Sequence, residues 1–388
     1  MVPKGWEKKY LKDILSEPIR NGFSPVASDK ETGFWILSLG FLGDEGINVT
    51  EIKPVEPTDR VLQSQLRHGD FLVSRSNTPD KVGRSIYFQG EIENCSYPDL
   101  MMKFRIDEDK ADPIFIEKKL KSFDVRAYFK NCAAGSSSTM VKINKGILEK
   151  TPLLLPNIKE QKKIAQILST WDKAIVITEQ LLTNSQQQKK GLMQQLLTGK
   201  KKLLGFSGEW TRSRLKKIVN FSKGQQLNRN TLSGLDKYPV INGGISPSGY
   251  TSQYNCLPNT ITISEGGNSC GYVSFQKEHF WCGGHCYALT NLNIDVEFMY
   301  HLLKYNEIKI MRLRVGSGLP NIQKKDLEAF CIYYPSHIHE QQEIANILSV
   351  ADKEIATLKQ KLHYLKQEKK ALMQQLLTGK RRVKTEGA

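Results

Sequence analysis

Nothing in this chain comes near the roughly 18 consecutive apolar residues that a membrane-crossing helix needs. The opening Met1-Val-Pro-Lys-Gly-Trp-Glu has no apolar signal core, so a cytoplasmic protein is expected, with no membrane partner. Acidic residues are scarce, 40 Asp and Glu against 56 Lys and Arg, which leaves a net charge of +16. That balance favours a polyanionic partner, most simply nucleic acid. Seven scattered cysteines, an odd number, read as reduced thiols. Catalytic signatures are missing as well. There is no Asn-Pro-Pro-aromatic or Asp-Pro-Pro-aromatic run and no Gly-x-x-x-x-Gly-Lys-Ser/Thr, and the glycine clusters Gly40 to Gly46 and Gly243-Gly244 make no cofactor loop between strand and helix. Pro98-Asp99 with Glu117-Lys118-Lys119 fits a loose nuclease pattern, but one degenerate enough to arise by chance in so charged a chain. Cys282-Gly-Gly-His285-Cys286, with Cys270 upstream, lacks the second tight pair of a structural zinc site, so buried thiols are expected and no metal. No catalytic residue and no bound cofactor are expected.

What is present is a long segment written twice. Ile164-Ala165, Ile167-Leu168-Ser169, Asp172-Lys173 and the run Leu192 to Lys200 return 180 positions later at Ile344-Ala345, Ile347-Leu348-Ser349, Asp352-Lys353 and Leu372 to Lys380, without insertion or deletion. The first copy places Ile164, Leu168, Trp171, Ile175, Thr178, Leu182, Ser185, Lys189, Leu192 and Leu196 at alternating steps of four and three. In the second copy the same steps fall on Ile344, Leu348, Ala351, Ile355, Leu358, Leu362, Leu365, Lys369, Leu372 and Leu376. That 3.5-residue period is a coiled-coil seam, and Lys189 and Lys369 hold equivalent polar positions in it, as register-setting residues would. Gly199 and Gly379 are natural helix stops. At 1.5 Å per residue each rod is roughly 57 Å long, and two rods in one chain could pair with each other. The double substitution of Leu196 and Leu376 by Asp is expected to abolish partner assembly while leaving the globular parts folded.

The segments before each rod are also related. Trp6, Leu11 and Ile14 return 204 positions later as Trp210, Leu215 and Ile218. Short apolar runs cut by turn residues predict strands at Phe34–Leu39, Asp70–Ser74, Ser85–Phe88 and Met101–Ile106, then a helical stretch over Ile114–Tyr128. The second part offers strands at Tyr238–Ile241, Thr260–Ser264, Tyr272–Phe275 and Cys286–Thr290, then a helix over Val296–Met311. Gly135-Ser-Ser-Ser138 before Ile143 parallels Gly316-Ser-Gly318 before Ile322. The frame is shared and the loop residues differ. The tail from Arg381 reads as frayed and basic.

This layout resembles the specificity subunit of Type I restriction-modification enzymes. The residues that carry the resemblance are the Pro-x-x-x-Glu-Gln helix entry at Pro156 to Gln161 and its one-residue-longer counterpart at Pro335 to Gln341, with the Ile-Ala-x-Ile-Leu-Ser runs and the closing Leu-Met-Gln-Gln-Leu-Leu-Thr-Gly-Lys. Tyr238-Pro-Val-Ile-Asn-Gly-Gly and Gly316-Ser-Gly-Leu-Pro-Asn-Ile-Gln-Lys-Lys-Asp-Leu add to it, and the likeness covers nearly the whole chain. The fold implied is α+β: two tandem α+β target-recognition domains joined by two long antiparallel coiled-coil helices in a pseudo-twofold repeat. The expected boundaries are 1–156 and 203–335 for the domains, 157–202 and 336–382 for the helices, and 383–388 for the tail. The resemblance implies a non-catalytic reader of a bipartite, asymmetric site in double-stranded DNA. It further implies that the helices dock two methyltransferase subunits, which use S-adenosylmethionine, and that restriction subunits using ATP and magnesium join them. The seam residues expected to serve pairing and docking are Ile164, Leu168, Trp171, Ile175, Leu182, Leu192, Leu196, Ile344, Leu348, Ile355, Leu358, Leu362, Leu365, Leu372 and Leu376.

Phosphate contacts should come from Lys and Arg, and base-edge contacts from polar side chains on loops. The first domain offers Arg75, Ser76, Asn77, Lys81 and Arg84. The second offers Lys223, Gln225, Gln226, Asn242, Asn268, His285, Arg312 and Arg314, with Gly243 and Gly266 letting backbone approach a groove. For each residue taken alone, a hairpin turn or a solvated charge is the competing explanation. Two other functions fit the same charge: a self-sufficient sequence-specific DNA-binding regulator, and an interaction scaffold whose charge serves solubility.

Overall fold

The computed structural model describes residues 2–384 except 44, 45, 138, 139, 229, 231, 235, 317 and 319. Residues Ser138, Ser317 and Leu319 of the two glycine turns, and Thr385–Ala388 of the tail, lie outside the described residues. The chain forms two compact units, residues 1–177 with 362–388, and residues 178–361. The division runs through both long helices, across the boundaries expected from the sequence. The reason is that each helix end is buried in a globular core, so each unit owns half of each helix.

The first unit is built on a four-stranded antiparallel sheet in the order Arg20–Asn21, Met101–Phe104, Asp70–Ser74, Ser85–Phe88. Asp70–Ser74 is buried along its whole length, as a central strand covered on both faces must be. Phe71 there stacks on Phe104 with ring centroids 5.1 Å apart. A smaller sheet orders Ile52–Pro54, Trp35–Leu37 and Cys95–Ser96. Two helices follow, Pro113–Leu120 and Phe123–Cys132. Asp112 caps the first by accepting from the Phe115 amide at 2.8 Å, and Pro113 suits its opening turn. Glu7–Tyr10 pairs antiparallel with Pro152–Leu155 and closes the globular part.

The second unit repeats this plan. Its sheet runs Asn220–Lys223, Cys286–Thr290, Thr260–Ser264, Val273–Gln276, matching the first strand for strand. Tyr238–Ile241 lies between Tyr250–Thr251 and Trp281–Cys282 in a second sheet. Helices Val296–Tyr305 and Glu307–Met311 follow, and Asp295 caps the first of these through the Phe298 amide at 2.8 Å. Trp210–Arg214 pairs with Cys331–Pro335 to close the unit.

The long helices are Ile158–Leu196, the central helix, and Ile338–Leu376, the C-terminal helix, 39 residues each. Their shared entry motif has a physical reason. Gln161 donates through Nε2 to the Pro156 carbonyl at 2.8 Å and accepts at Oε1 from the Asp112 amide at 2.9 Å. Gln341 does the same with Pro335 and Asp295, both at 2.8 Å. One buried amide thus ties the incoming strand, the long helix and the capped globular helix together. The exits are also alike: Gly199 and Gly379 sit at φ +70° and +69°, where a glycine is unstrained. A Cβ on Gly379 would lie 2.6 Å from Pro3 and 3.2 Å from Trp6, and one on Gly199 would lie 3.3 Å from Trp210.

Within each unit the two helix halves run antiparallel. In the first, Lys369 pairs with Asp172, and Arg382 with Glu160 at 2.7 Å. In the second, Lys189 pairs with Asp352, and Ser185 donates to Glu354 at 2.9 Å. Lys189 and Lys369 therefore take equivalent aspartates of the facing helix, Asp352 and Asp172, as their register-setting place in the seam implies.

Burial along the seam is uneven. Ile164, Leu168, Leu376 and Leu377 belong to the first unit's core, and Leu196, Leu197, Ile344 and Leu348 to the second's. Ile175 and Ile355 are just buried, while Trp171, Leu182, Leu192, Leu358, Leu362, Leu365 and Leu372 are half-buried. This corrects one expectation. Leu196 and Leu376 are each 2% exposed inside globular cores, so an aspartate at either would strike folding before it touched any partner. No helix among the described residues is long and apolar enough to cross a membrane.

Candidate nucleic-acid interface

In the second unit most of the residues singled out from the sequence meet where three strand ends come together. Thr260–Ser264 ends, Cys286–Thr290 begins and Tyr238–Ile241 ends at this place, so their flanking loops form one rim where the two sheets of the unit meet. Asn242 accepts at Oδ1 from the His285 amide at 3.0 Å, which ties two of the loops together. Gly243, at φ +84°, is buried, and its carbonyl accepts from Ser264 Oγ at 2.6 Å and from Ser269 Oγ. A Cβ there would lie 2.6 Å from the His285 carbonyl, so glycine is required by the close approach as well as by φ. Gln225 anchors its loop through its amide to the Cys282 carbonyl at 2.8 Å, and its own carbonyl takes the Trp281 indole N–H at 2.7 Å. Gln226, Asn242 and Gly283 line a pocket of about 340 Å³ beside Leu232 and Ser248.

Lys223 sits on the last residue of its strand with Nζ 2.7 Å from Glu265 Oε1. Glu265 is buried and also accepts the Tyr287 hydroxyl at 2.8 Å. Burial, and then that hydrogen bond to a carboxylate, pushes the Tyr287 phenol well above its ordinary pKa. The ammonium is thus held by a buried carboxylate while more than half its side chain stays in solvent. Gly266 bridges to Asn321, and Val315, beside Arg314, bridges to the same residue, which brings the Arg314 backbone to this rim. Asn268, His285 and Arg314 are exposed. Arg312 is exposed at the end of the Glu307–Met311 helix, and no hydrogen bond among the described residues joins it to the loops.

In the first unit the turn after Asp70–Ser74 is held by its own backbone. Lys81 and Val82 amides donate to the Thr78 carbonyl at 2.9 Å, and the Gly83 amide to the Ser74 carbonyl at 2.8 Å. Arg126 braces the same turn through the carbonyls of Val82 at 2.6 Å and Asp80 at 2.9 Å. Lys81 is exposed and free to reach outward. Arg75 and Asn77 are half-buried, and Asn77 Oδ1 accepts the Thr78 amide at 2.9 Å. Ser76 is 1% exposed, and Arg84 is half-buried with its guanidinium on the Leu42 carbonyl at 3.4 Å. Ser76 and Arg84 therefore shape the turn, as does Asn77, whose Nδ2 donates to Ser74 Oγ at 3.3 Å, while Lys81 stays in solvent.

Sequence reasoning missed Glu265, Tyr287 and Asn255. Asn255 accepts the Cys282 amide at 2.6 Å and donates to the Cys282 carbonyl at 3.1 Å, fixing the strand that precedes the His285 loop. An acid ending an apolar strand, as in Thr-Ile-Thr-Ile-Ser-Glu265, was the available signal for the first of them. The charged groups of the loose nuclease pattern have structural partners: Lys118 reaches Asp172 at 2.8 Å, and Lys119 donates to the Leu377 carbonyl at 2.9 Å. Cys282 and Cys286 are buried, and Cys270 donates to the Glu265 carbonyl at 3.0 Å. No group of three or more His, Cys, Asp or Glu among the described residues could hold a metal ion.

Two similar frames carrying unlike polar rims, each fused to half of a helix pair, define a tandem recognition protein. Residues 3–184 and 207–367 match the family model of the Type I restriction modification DNA specificity domain, and the chain belongs to that family. It is 28% identical to a putative type I restriction enzyme MjaX specificity subunit of Methanocaldococcus jannaschii, over 99% of this chain and 95% of that one. It is 38% identical to a putative type I specificity subunit of Mycoplasma pneumoniae over 40% of this chain and 42% of that one. Among solved structures, the type I restriction-modification S subunit of M. genitalium superposes with a TM-score of 0.72 at 19% identity, covering 97% of this chain and 96% of that one. That last likeness concerns the fold.

Proposed function

We propose that this chain reads a bipartite, asymmetric site in double-stranded DNA, one half with each unit, on behalf of a methyltransferase made elsewhere. The observation that carries the reading is internal: one framework, with the same sheet order, Asp-capped helix and Gln clamp, occurs twice with different polar residues on its loops. A frame that repeats while its rim diverges suits two readers of unlike sequences. Base-edge contacts would come from Asn242, Gln226, His285 and Asn268 in the second unit and from Asn77 in the first. Lys223, Arg314, Arg75 and Lys81 would meet phosphates, and backbone at Gly243 and Gly266 allows a close approach. A helix pair of fixed length suits a spacer that sets the number of bases between half-sites.

The partners proposed are two methyltransferase subunits with S-adenosylmethionine, and restriction subunits with ATP and magnesium. A solved structure with a TM-score of 0.56 to this chain comes from work on complex assembly in a type I system, which makes assembly a reasonable expectation here. No observation favours a self-sufficient regulator. Co-expression of the full chain with the methyltransferase subunit of its own system, followed by methylome sequencing, tests the proposal. Methylated adenine within one split motif is expected. A purified chain that methylates DNA alone, or a complex that methylates without a split motif, would overturn it.

A further inference from the structure

The pocket beside the second unit's rim has two amide side chains in its wall. Its volume of about 340 Å³ lies at the small end of the roughly 300–1,000 Å³ of ligand sites. Leu227, Leu232 and Val240 give it apolar sides, and Gln226, Asn242 and Ser248 give it polar ones. Backbone around it is already paired. The Val240 amide donates to the Gly249 carbonyl and the Val240 carbonyl accepts from the Ser248 amide, both at 2.9 Å, and the Gly283 amide donates to the Ile241 carbonyl at 2.8 Å. Each amide side chain has used one of its two groups. Asn242 Oδ1 accepts from the His285 amide, and Gln226 Nε2 donates to the Leu227 carbonyl at 3.2 Å. Asn242 Nδ2 and Gln226 Oε1 have no hydrogen bond among the described residues, so one donor and one acceptor are left unspent. Two glycines make room for these amides: a Cβ on Gly283 would lie 2.4 Å from Asn242 Oδ1, and one on Gly284 would lie 2.9 Å from Gln226 Oε1. The shared frame does not demand an opening here. In the first unit the corresponding strand, Trp35–Leu37, leads into Phe41 and Leu42, both fully buried in an apolar cluster.

We propose that this pocket takes one DNA base turned out of the double helix, other than the adenine that a methyltransferase must reach. The proposal deepens the reading of DNA above and rests on it. Every base carries a hydrogen-bond donor next to an acceptor on its Watson–Crick edge, which is the complement of an amide acceptor beside an amide donor. Apolar side chains suit the faces of its ring, and the pocket's volume suits one flat ring system rather than a chain. A stacked base shows only its groove edge and keeps its Watson–Crick edge on its partner, so it cannot enter a concavity. Side chains that line a pocket therefore serve an extrahelical base, and exposed Asn268 and His285, outside the pocket, remain for groove contacts. Lys223, three residues before Gln226 and more than half in solvent, is placed to hold the phosphate backbone alongside.

The test uses the full chain co-expressed with its methyltransferase subunit, once the methylome has given the motif. Duplexes with a single mismatch at each position in turn are titrated by fluorescence anisotropy. A mismatched base costs less to turn out, so at one position outside the methylated pairs a mismatch should tighten binding about tenfold. A base read in a groove loses affinity when mismatched. Ser248→Trp, at an exposed position on the pocket's edge, should abolish the gain while keeping the parent unfolding temperature. Asn242→Asp keeps an acceptor for the His285 amide and removes the donor, so it should reduce the gain at that position even if the tryptophan disturbs folding. Mismatches that weaken binding everywhere outside the methylated pairs, with the split motif still methylated, would overturn the pocket proposal and leave the reading of DNA standing. A gain that survives in both variants would overturn it too. Saturable binding of free thymidine or deoxyadenosine, lost in Ser248→Trp and without any mismatch gain, would assign the pocket to a small molecule and overturn its DNA source. A complex that methylates no split motif would overturn the reading of DNA, and the pocket's role with it.

Discussion

The two units solve the same joint differently. In the first, buried Glu160 at the head of the central helix takes Arg382 in two contacts of 2.7 Å, and the Trp6 indole N–H has no partner among the described residues. In the second, Glu340 accepts the Trp210 indole N–H at 3.3 Å and its second carboxylate oxygen is unpartnered among the described residues. Lys202, which stands 180 positions before Arg382, turns away to the carbonyls of Ser207 and Gly208. A second contrast lies six residues after each capping aspartate. There Lys118 reaches Asp172 at 2.8 Å, while His301 shares a hydrogen bond with Ser349 at 3.0 Å and stands 3.9 Å from Asp352. The backbone frame and the Gln161 and Gln341 clamps are kept where these side-chain solutions diverge. What is common to the halves is thus the geometry of the joint, and the charges inside it are negotiable.

The largest expected effect is on this modularity. Leu376→Asp buries an unpaired carboxylate in the first unit's core and should cost about 4 kcal/mol or more there. Hydrogen exchange should show the first unit's sheet opening while Thr260–Ser264 keeps its protection. Equal loss in both units would show one cooperative block and erase the comparison.

Next in size is a pH effect confined to the second unit. Burial, and then the Lys189 charge, lower the His301 pKa from 6.5 to about 4, with Asp352 opposing. A base depressed in the folded state contributes stability that is complete above pH 6.5 and is lost as pH falls towards 4. The loss over that window should be about 3 kcal/mol relative to His301→Gln, which does not titrate. Parallel pH–stability curves for the two chains would contradict this reading.

The smallest effect contrasts two basic residues at equivalent positions. Arg382→Ala strands Glu160, which is 2% exposed, and should destabilise the first unit by about 1.5 kcal/mol, since 44% of the Arg382 side chain is in solvent. Lys202→Ala should change stability by no more than about 0.5 kcal/mol. Chemical denaturation of both variants decides it, and equal losses would mean that the two joints are energetically alike.

The parts of this molecule legible in the sequence were those written locally. Asp70–Ser74, Ser85–Phe88, Tyr238–Ile241, Thr260–Ser264 and Cys286–Thr290 form strands over the residues their apolar runs mark. The rods and their capacity to pair followed from a period and an exact repeat, and their antiparallel sense from the family resemblance. Side chains whose role depends on a distant partner were not legible. Arg382 reads as part of a frayed tail, yet it reaches back 222 positions to Glu160. Leu196 and Leu376 continue the heptad seam, and nothing local shows that globular cores close over them. In the candidate interface, Ser76 resembles any polar turn residue until the sheet pairs it with Lys142 and buries it. Lys223 looks solvated until Glu265, 42 positions on, is brought within 2.7 Å.

The claim that the two units read independently is tested most directly by exchanging residues 14–150 for the same region of another family member and sequencing the methylome of cells that express the hybrid with its methyltransferase. The account predicts that one half of the methylated motif changes, while the other half and the gap between them stay as they were. A hybrid that alters both halves would contradict it.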